Sequence, residues 1–169
     1  MEAIYAVDIK NGISKDGILP WKCKKDMLFF MNKTKNNIVI MGRNTYFSLP
    51  KRPLKDRLNI VFTREPNKYS QGTNVLFTDD INIFNYVLEN RELYLQLYKF
   101  LNTDFKIYII GGKEIYEKLI PFCKKIWVTQ LKHEFNCDLF LNYDYSIQYE
   151  KEILDNDDEL TISVYSKLE

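Results

Sequence analysis

Histidine and cysteine are scarce in this 169-residue chain. The lone histidine is His133, and Cys23, Cys123 and Cys137 are odd in number, far apart and without C-x-x-C spacing. That pattern argues against a metal site and against a disulfide framework. Reduced cysteines in a cytoplasm-like compartment are the simple account. An excess of charge is also missing: 24 basic against 23 acidic residues leave a formal net charge of +1. No global field points to nucleic acid or to a membrane. The local cluster Lys22, Lys24 and Lys25 reads as a solvated helix start. No apolar run approaches membrane-spanning length, and Met1 to Ile9 reads as a strand and not as a cleaved signal. Glycine and alanine are few beside abundant Lys, Asn, Ile, Tyr and Phe, a bias that AT-rich coding produces without functional meaning. No internal repeat, low-complexity stretch or linker divides the chain. With 46% apolar and 28% charged residues, residues 1–169 read as one soluble domain able to bury a core.

One stretch organises what is present. Gly17-Ile18-Leu19-Pro20-Trp21 hands the chain to a helix expected from about Lys24 to Lys33, with Asp26 in its first turn. Leu19, Trp21, Met27 and Phe30 are placed to wall an apolar cleft, and Asp26 to point into it. A charge in an apolar cleft is costly unless something pairs with it, so such a carboxylate serves binding or proton movement. Taken alone, Asp26 reads better as an acid favoured by the helix dipole.

Strand and helix alternate along the rest. Apolar, β-prone runs predict buried strands at Ala3–Val7, Asn37–Met41, Asn59–Thr63, Val75–Phe77, Ile107–Ile110 and Ile126–Leu131. Asp8 to Leu19 reads as a long irregular loop. Tyr46–Leu49 reads as a short helix and Pro50–Leu54 as extended loop. Ile83, Phe84, Val87 and Leu88 follow a helical period behind a cap at Asp79 or Asp80. Asn90–Thr103 reads as an extra surface helix or an extended connection, and Lys113–Ile120 as a helix. Cys137–Leu141 is extended, and Ser146–Ile153 with Leu160–Ser166 forms a closing hairpin turning at Asp155–Asp158. The expectation is an α/β fold: a mostly parallel central sheet flanked by helices, with an antiparallel C-terminal hairpin. Ligands in such sheets sit beyond the carboxyl ends of the strands. Asp8–Leu19, Gly42–Thr45, Thr63-Arg64 and Gly111-Gly112 all follow strands and converge on one edge.

Singly, the chemical signals are weak. Gly111-Gly112 lets a backbone approach a dinucleotide but is not the full glycine fingerprint. Gly42-Arg43-Asn44-Thr45 fits a phosphate at a helix start, and equally a tight turn. Arg43 and Arg64 suit a 2′-phosphate, or are surface charges. Arg57 suits a bidentate carboxylate clamp, or an ion pair with Asp56.

Together, their order resembles the dihydrofolate reductase family from Ile4 to the C-terminus. The residues that carry the resemblance are Ala6-Val7-Asp8, Gly17-Ile18-Leu19-Pro20-Trp21, Asp26, Ile40-Met41-Gly42-Arg43-Asn44-Thr45, Arg52-Pro53-Leu54 with Arg57, and Ile109-Ile110-Gly111-Gly112 with Ile115-Tyr116. The resemblance implies NADPH-dependent reduction of 7,8-dihydrofolate to tetrahydrofolate, with hydride to C6 and a proton to N5. It implies that Asp26 holds the pterin, Trp21 an ordered water, and Thr129 the carboxylate. Ile4, Tyr5, Met27, Phe30, Leu49, Leu54, Ile110 and Tyr116 fall on the substrate side, with Arg57 on the glutamate α-carboxylate. Ala6, Ile13, Leu19 and Ile110 to Gly112 fall at the nicotinamide end, and the Gly111-Gly112 peptide is expected to be cis. Gly42, Arg43, Asn44, Thr45, Thr63, Arg64, Lys113, Glu114 and Ile115 complete the cofactor set. Antifolate-type molecules become expected ligands and thymidylate synthase a functional link. A monomer is compatible with the resemblance, and no nucleic acid, membrane or metal is called for.

The chain departs from the family in four places. Gly12-Ile13-Ser14 stands where a second glycine is common, Asp138-Leu139-Phe140-Leu141 replaces the usual Asp-Thr-x-Phe-Pro, Tyr46 replaces a frequent tryptophan, and the Asn90–Thr103 stretch is longer than in compact members. The first two put loop dynamics, and the tie between the two segments, in question. Two rivals share parts of the pattern: the reductase of riboflavin biosynthesis, which has no need of Leu-Pro-Trp, Asp26 and Arg57 together, and a non-catalytic folate- or nucleotide-binding module, which an apolar residue 26 would have favoured.

Overall fold

The computed structural model describes residues 1–169. Its strands are β1 (Glu2–Val7), β2 (Gly12–Ser14), β3 (Ile38–Gly42), β4 (Leu58–Phe62), β5 (Val75–Thr78), β6 (Ile107–Ile109), β7 (Lys125–Leu131), β8 (Leu139–Phe140), β9 (Tyr149–Asn156) and β10 (Leu160–Lys167). Its helices are α1 (Lys24–Thr34), α2 (Arg43–Ser48), α3 (Ile83–Glu89), α4 (Arg91–Leu97) and α5 (Lys113–Leu119). Short 3-10 turns occupy Pro66–Lys68 and Ile120–Phe122.

Eight strands form one sheet in the order β5-β4-β3-β6-β1-β7-β10-β9. Neighbours from β5 to β7 pair in parallel, and β10 pairs antiparallel with both β7 and β9. The central strands are apolar at nearly every position because helices or loops cover both faces. Alternation sorts their side chains. Ala3, Val7, Ile40, Ile60, Ile109 and Val128 enter the core on one face, while Ile4, Met41, Val61, Tyr108 and Trp127 pack on the other, under α1 and α2.

Helix α1 packs through Phe29 and Phe30, leaving Met27, Leu28 and Met31 exposed. Its end is marked by Thr34, whose Oγ1 donates to the Phe30 carbonyl at 2.9 Å, and by Asn36 at φ 61°.

Several expectations change. The Asp8–Leu19 stretch is not wholly irregular: β2 pairs antiparallel with β8, and Lys15 bridges Ile18. Helix α2 begins at Arg43, directly on β3, and not at Tyr46. Neither Asp79 nor Asp80 is the cap of α3; Asn82 is, with Asp80 Oδ1 accepting its N–H at 2.9 Å. Leu88 is exposed. Asn90–Thr103 is not a surface addition, because Tyr94 and Leu101 enter the core beside Phe105. The closing turn comes later than expected, with Asp157 Oδ1 accepting the N–H groups of Glu159 and Leu160. No helix is long and apolar enough to cross a membrane.

Candidate active site

The carboxyl ends of β1, β3, β4 and β6 open on one edge of the sheet. Asp26 arrives there from the first turn of α1, and it is only 9% exposed. Beside it lies the sheet face carrying Ala6 and Thr129, which are paired in register across β1 and β7. Thr129 and Trp21 are both buried. Burial pushes the Asp26 carboxyl above its ordinary range, and Thr129 and Trp21, the polar groups facing it, oppose that shift. Met27 was expected to help dry the carboxyl, but it is 65% exposed and turned to solvent. Phe30 is half-buried.

The other buried acids are satisfied. Glu2 Oε1 accepts the Trp127 Nε1–H at 2.8 Å. Asp8 accepts Lys10 and Gly12 N–H on Oδ1 and Phe135 N–H on Oδ2, at 2.9 to 3.0 Å. Burial pushes the Asp8 carboxyl up, but the Phe135, Gly12 and Lys10 amides outweigh it and hold the pKa below the usual value. Asp26 is faced only by Thr129 and Trp21. The Trp21 Nε1–H is the one buried side-chain polar atom left without a partner. An orphaned donor beside a buried carboxyl is costly to a fold, and marks a place built for something that comes from outside the chain.

Ile4, Phe30, Leu49, Leu54 and Ile110 gather on the sheet face under α1 and α2. Arg57 sits at the far end of this wall and is 8% exposed, so it is not a surface charge. Its Nε donates to the Lys55 carbonyl at 2.8 Å and its Nη1 to Thr34 Oγ1 at 3.1 Å. Tyr5 differs from expectation. Its hydroxyl is bonded to that of Tyr145 at 2.6 Å on the opposite face, which leaves only its main chain for the cleft. Tyr116 is buried and donates to the Ile4 carbonyl at 2.9 Å.

On the other side of β6, the Gly111-Gly112 peptide is cis. The Gly42 N–H donates to the Gly111 carbonyl at 2.8 Å, joining the ends of β3 and β6. Thr45 sits over the glycine pair: a Cβ on Gly112 would meet its Oγ1 at 3.1 Å. A Cβ on Gly42 would touch Ile115 Cγ1 at 3.4 Å. Around this bare backbone stand the exposed cations Arg43 and Arg64 and the half-exposed Lys113. Arg43 donates from Nε to the Tyr69 hydroxyl and lies 5.4 Å from the Phe47 ring centre. Asn44 Oδ1 accepts from Arg43 Nη1, Thr63 Oγ1 accepts the Glu65 N–H, Lys113 pairs loosely with Glu117, and Glu114 is exposed. A side-chain-free strip edged by cations fits a dinucleotide with an extra phosphate, which tests well for NADPH. Leu19 is 58% exposed, while Ile13 is buried in the core and gives that end less side chain than expected.

The loop after β1 is better tied than Leu139 and Leu141 suggested. Asp16 N–H donates to Asp138 Oδ2 at 2.9 Å, Asp138 N–H to the Ser14 carbonyl at 3.1 Å, and Leu141 N–H to the Asn11 carbonyl at 2.9 Å. Sequence reasoning missed Tyr69, which stacks on Phe77 with centroids 4.9 Å apart and steadies Arg43. It also missed Lys25, whose Nζ reaches Asp155 and Asp157 at 2.7 and 2.6 Å and fastens the start of α1 to the β9–β10 turn. Neither position carries a motif. No group of three or more His, Cys, Asp or Glu is placed to hold a metal ion.

Comparison with known proteins gives a consistent picture. The family model described as dihydrofolate reductase matches residues 1–166. A dihydrofolate reductase of Aedes albopictus is 31% identical over 168 residues, covering 93% of this chain and 85% of that one. A bifunctional dihydrofolate reductase-thymidylate synthase of Daucus carota is 32% identical over 151 residues, covering 83% of this chain and 28% of its own length. Among solved structures, dihydrofolate reductase from Enterococcus faecalis complexed with NADP(H) and RAB-propyl aligns with a TM-score of 0.74 at 26% identity. That alignment covers 99% of this chain and 96% of that one.

Proposed function

The chain belongs to the dihydrofolate reductase family, and on that premise we propose that Asp26, Trp21 and Thr129 form the pterin-holding and protonating end of its site. The protein is an NADPH-dependent oxidoreductase that reduces dihydrofolate to tetrahydrofolate. The assignment of roles to residues is ours.

One observation carries it: a buried carboxyl, faced only by Thr129 and Trp21, stands beside an indole N–H that has no hydrogen-bond partner. The Asp26 carboxylate accepts from the ring N–H and amino group of the pterin, which stabilises the charge that burial disfavours. Trp21 Nε1 donates to a water shared with Asp26. Water delivers the proton to N5, because a carboxyl against the far side of the ring cannot reach it. Thr129 orients the carboxyl. Bound NADPH supplies the hydride that C6 receives. Phe30, Leu49, Leu54 and the half-exposed Ile110 keep solvent from the rings, and Leu19 closes over them from the exposed side. Arg57, fixed by Lys55 and Thr34, turns its free N–H edge to the glutamate α-carboxylate. Ala6, Ile13, Gly111 and Gly112 would hold the nicotinamide end, and Gly42, Arg43, Asn44, Thr45, Thr63, Arg64 and Lys113 to Ile115 the phosphates.

A buried carboxylate clamp favours this substrate over a ribosylamino-pyrimidine, which offers no such tail. The unpaired Cys23, Cys123 and Cys137 support a cytoplasmic setting. The fused carrot relative supports a functional link to thymidylate synthase. The test is loss of NADPH absorbance with dihydrofolate present against the same assay without it, in wild type and Asp26→Asn. Substrate-dependent oxidation that the substitution abolishes is expected; an equally active variant overturns the role of Asp26.

A further inference from the structure

On the face of the sheet opposite Asp26, Tyr116 of α5 lies against Tyr5 of β1 with ring centroids 5.3 Å apart. Beyond it the coil Leu141–Ser146 borders two adjoining cavities of about 100 and 350 Å³ that share Tyr143, Tyr145, Lys151 and Tyr165. The larger one reaches the lower end of the size range of small-molecule sites. The tyrosines form one aromatic wall. Ring centroids of Tyr145 lie 4.8 Å from Tyr143 and 4.5 Å from Tyr165, and the Tyr145 hydroxyl is fixed by Tyr5 at 2.6 Å.

The polar groups are the unusual part. Sheet residues Gln130 and Ser163 line the inner cavity, and neither side chain has a hydrogen-bond partner in the chain. Lys151 stands at the wall shared by both cavities, 5.8 Å from the Tyr165 ring centre, and makes no ion pair. Asp144 lines the outer cavity, but its Oδ1 already accepts the Ser146 N–H at 2.9 Å. A free cation, an aromatic wall and two free neutral polar groups behind it define a ligand class by their chemistry.

We propose that this tyrosine-lined cavity is a second ligand site, separate from the catalytic cleft, for a small phenolic carboxylate. The ring lies against Tyr143, Tyr145 and Tyr165, the carboxylate meets Lys151, and the hydroxyl enters the inner cavity toward Gln130 and Ser163.

The probe is 4-hydroxybenzoate, titrated into enzyme already saturated with NADP⁺ and folate so that Arg57 is occupied. The readout is the ring resonances of tyrosine-labelled protein, with Tyr145 and Tyr165 identified by substitution with Phe. Saturable shifts at both rings are expected. Lys151→Gln should weaken binding about two- to fivefold, the scale of one exposed charge contact, with kcat and KM for dihydrofolate unchanged. Phenol, which lacks the carboxylate, should be indifferent to that substitution. The proposal is overturned by any of three results: no saturable shift in the ternary complex, binding seen only when folate is absent, or equal affinity for wild type and Lys151→Gln.

Discussion

Arg57 donates from Nη1 to Oγ1 of Thr34 at 3.1 Å, and Thr34 is the last residue of the helix whose first turn carries Asp26. On the proposed assignment, one helix therefore braces both ends of the substrate cleft. Asp26 and Thr34 are eight residues apart on α1, about 12 Å along its axis at 1.5 Å per residue. That spacing is of the order separating a pterin from the α-carboxylate at the end of its benzoylglutamate tail. The guanidinium is already held on its Nε edge by the Lys55 carbonyl, so its orientation is set before the ligand arrives.

Arg57→Lys should therefore raise the dihydrofolate KM about tenfold or more, because an ammonium replaces a fork that was anchored at one edge and free at the other. Thr34→Val should give a smaller rise in the same direction. Steady-state kinetics with dihydrofolate, and with a pterin lacking the glutamate tail, provide the check. If the tail-less pterin suffers equally, Arg57 is purely structural.

On the proposed assignment, cofactor preference rests on the exposed strand-end cations. Arg43 is committed to Tyr69 and Asn44, whereas Arg64 after β4 has no protein partner. Arg64→Ala should weaken NADPH binding about tenfold, the scale of one charge-assisted contact, and leave NADH nearly unchanged. Equal losses in fluorescence titrations with the two cofactors would remove Arg64 from the 2′-phosphate.

Gly111 holds φ 125°, and a Cβ there would lie 3.4 Å from the Tyr116 ring and hydroxyl. Gly111→Ala should cost about 1–3 kcal/mol of stability, or roughly 2–4 °C in Tm per kcal/mol. It should also weaken NADPH, since relief of the strained φ would displace the backbone strip that the cofactor approaches. Calorimetry and cofactor titration test this; unchanged values for both would show that the strip tolerates a side chain.

Asp26 also makes stability depend on pH. Burial raises its folded pKa above the unfolded value of about 3.9. The folded state then binds the proton more tightly than the unfolded chain. No penalty exists below the unfolded pKa; it grows as pH rises through the folded pKa, where the buried charge must form. Asp26→Asn should accordingly raise Tm at pH 7, with the gain vanishing near pH 3. A variant less stable than wild type at pH 7 would mean that Thr129 and Trp21 outweigh burial.

Much of this was legible in the sequence. Ile38 to Met41 and Ile126 to Leu131 are apolar on both faces, so central strands were readable, and the glycines and arginines after strands pointed to the ligand edge. The misreadings were tertiary in origin. Tyr94 and Leu101 look like surface helix residues until the sheet behind them is known. Tyr5 lies in a motif but faces away, since a strand alternates its side chains and the sequence alone does not say which face is which. Met27 adjoins Asp26 in sequence, yet the turn of the helix carries it to solvent. Tyr69 and Lys25 act through partners distant in the chain, and no local pattern reveals them.

The central claim is that Asp26 promotes protonation of the pterin. Its most direct test is single-turnover hydride transfer from NADPH to saturating dihydrofolate, followed across pH in wild type and Asp26→Asn. The variant should be slower by at least ~10²-fold at neutral pH, the scale of acid–base contributions, with unchanged NADPH affinity. The deficit should shrink as pH falls and dihydrofolate arrives already protonated. A variant that transfers hydride as fast as wild type at neutral pH would contradict the account.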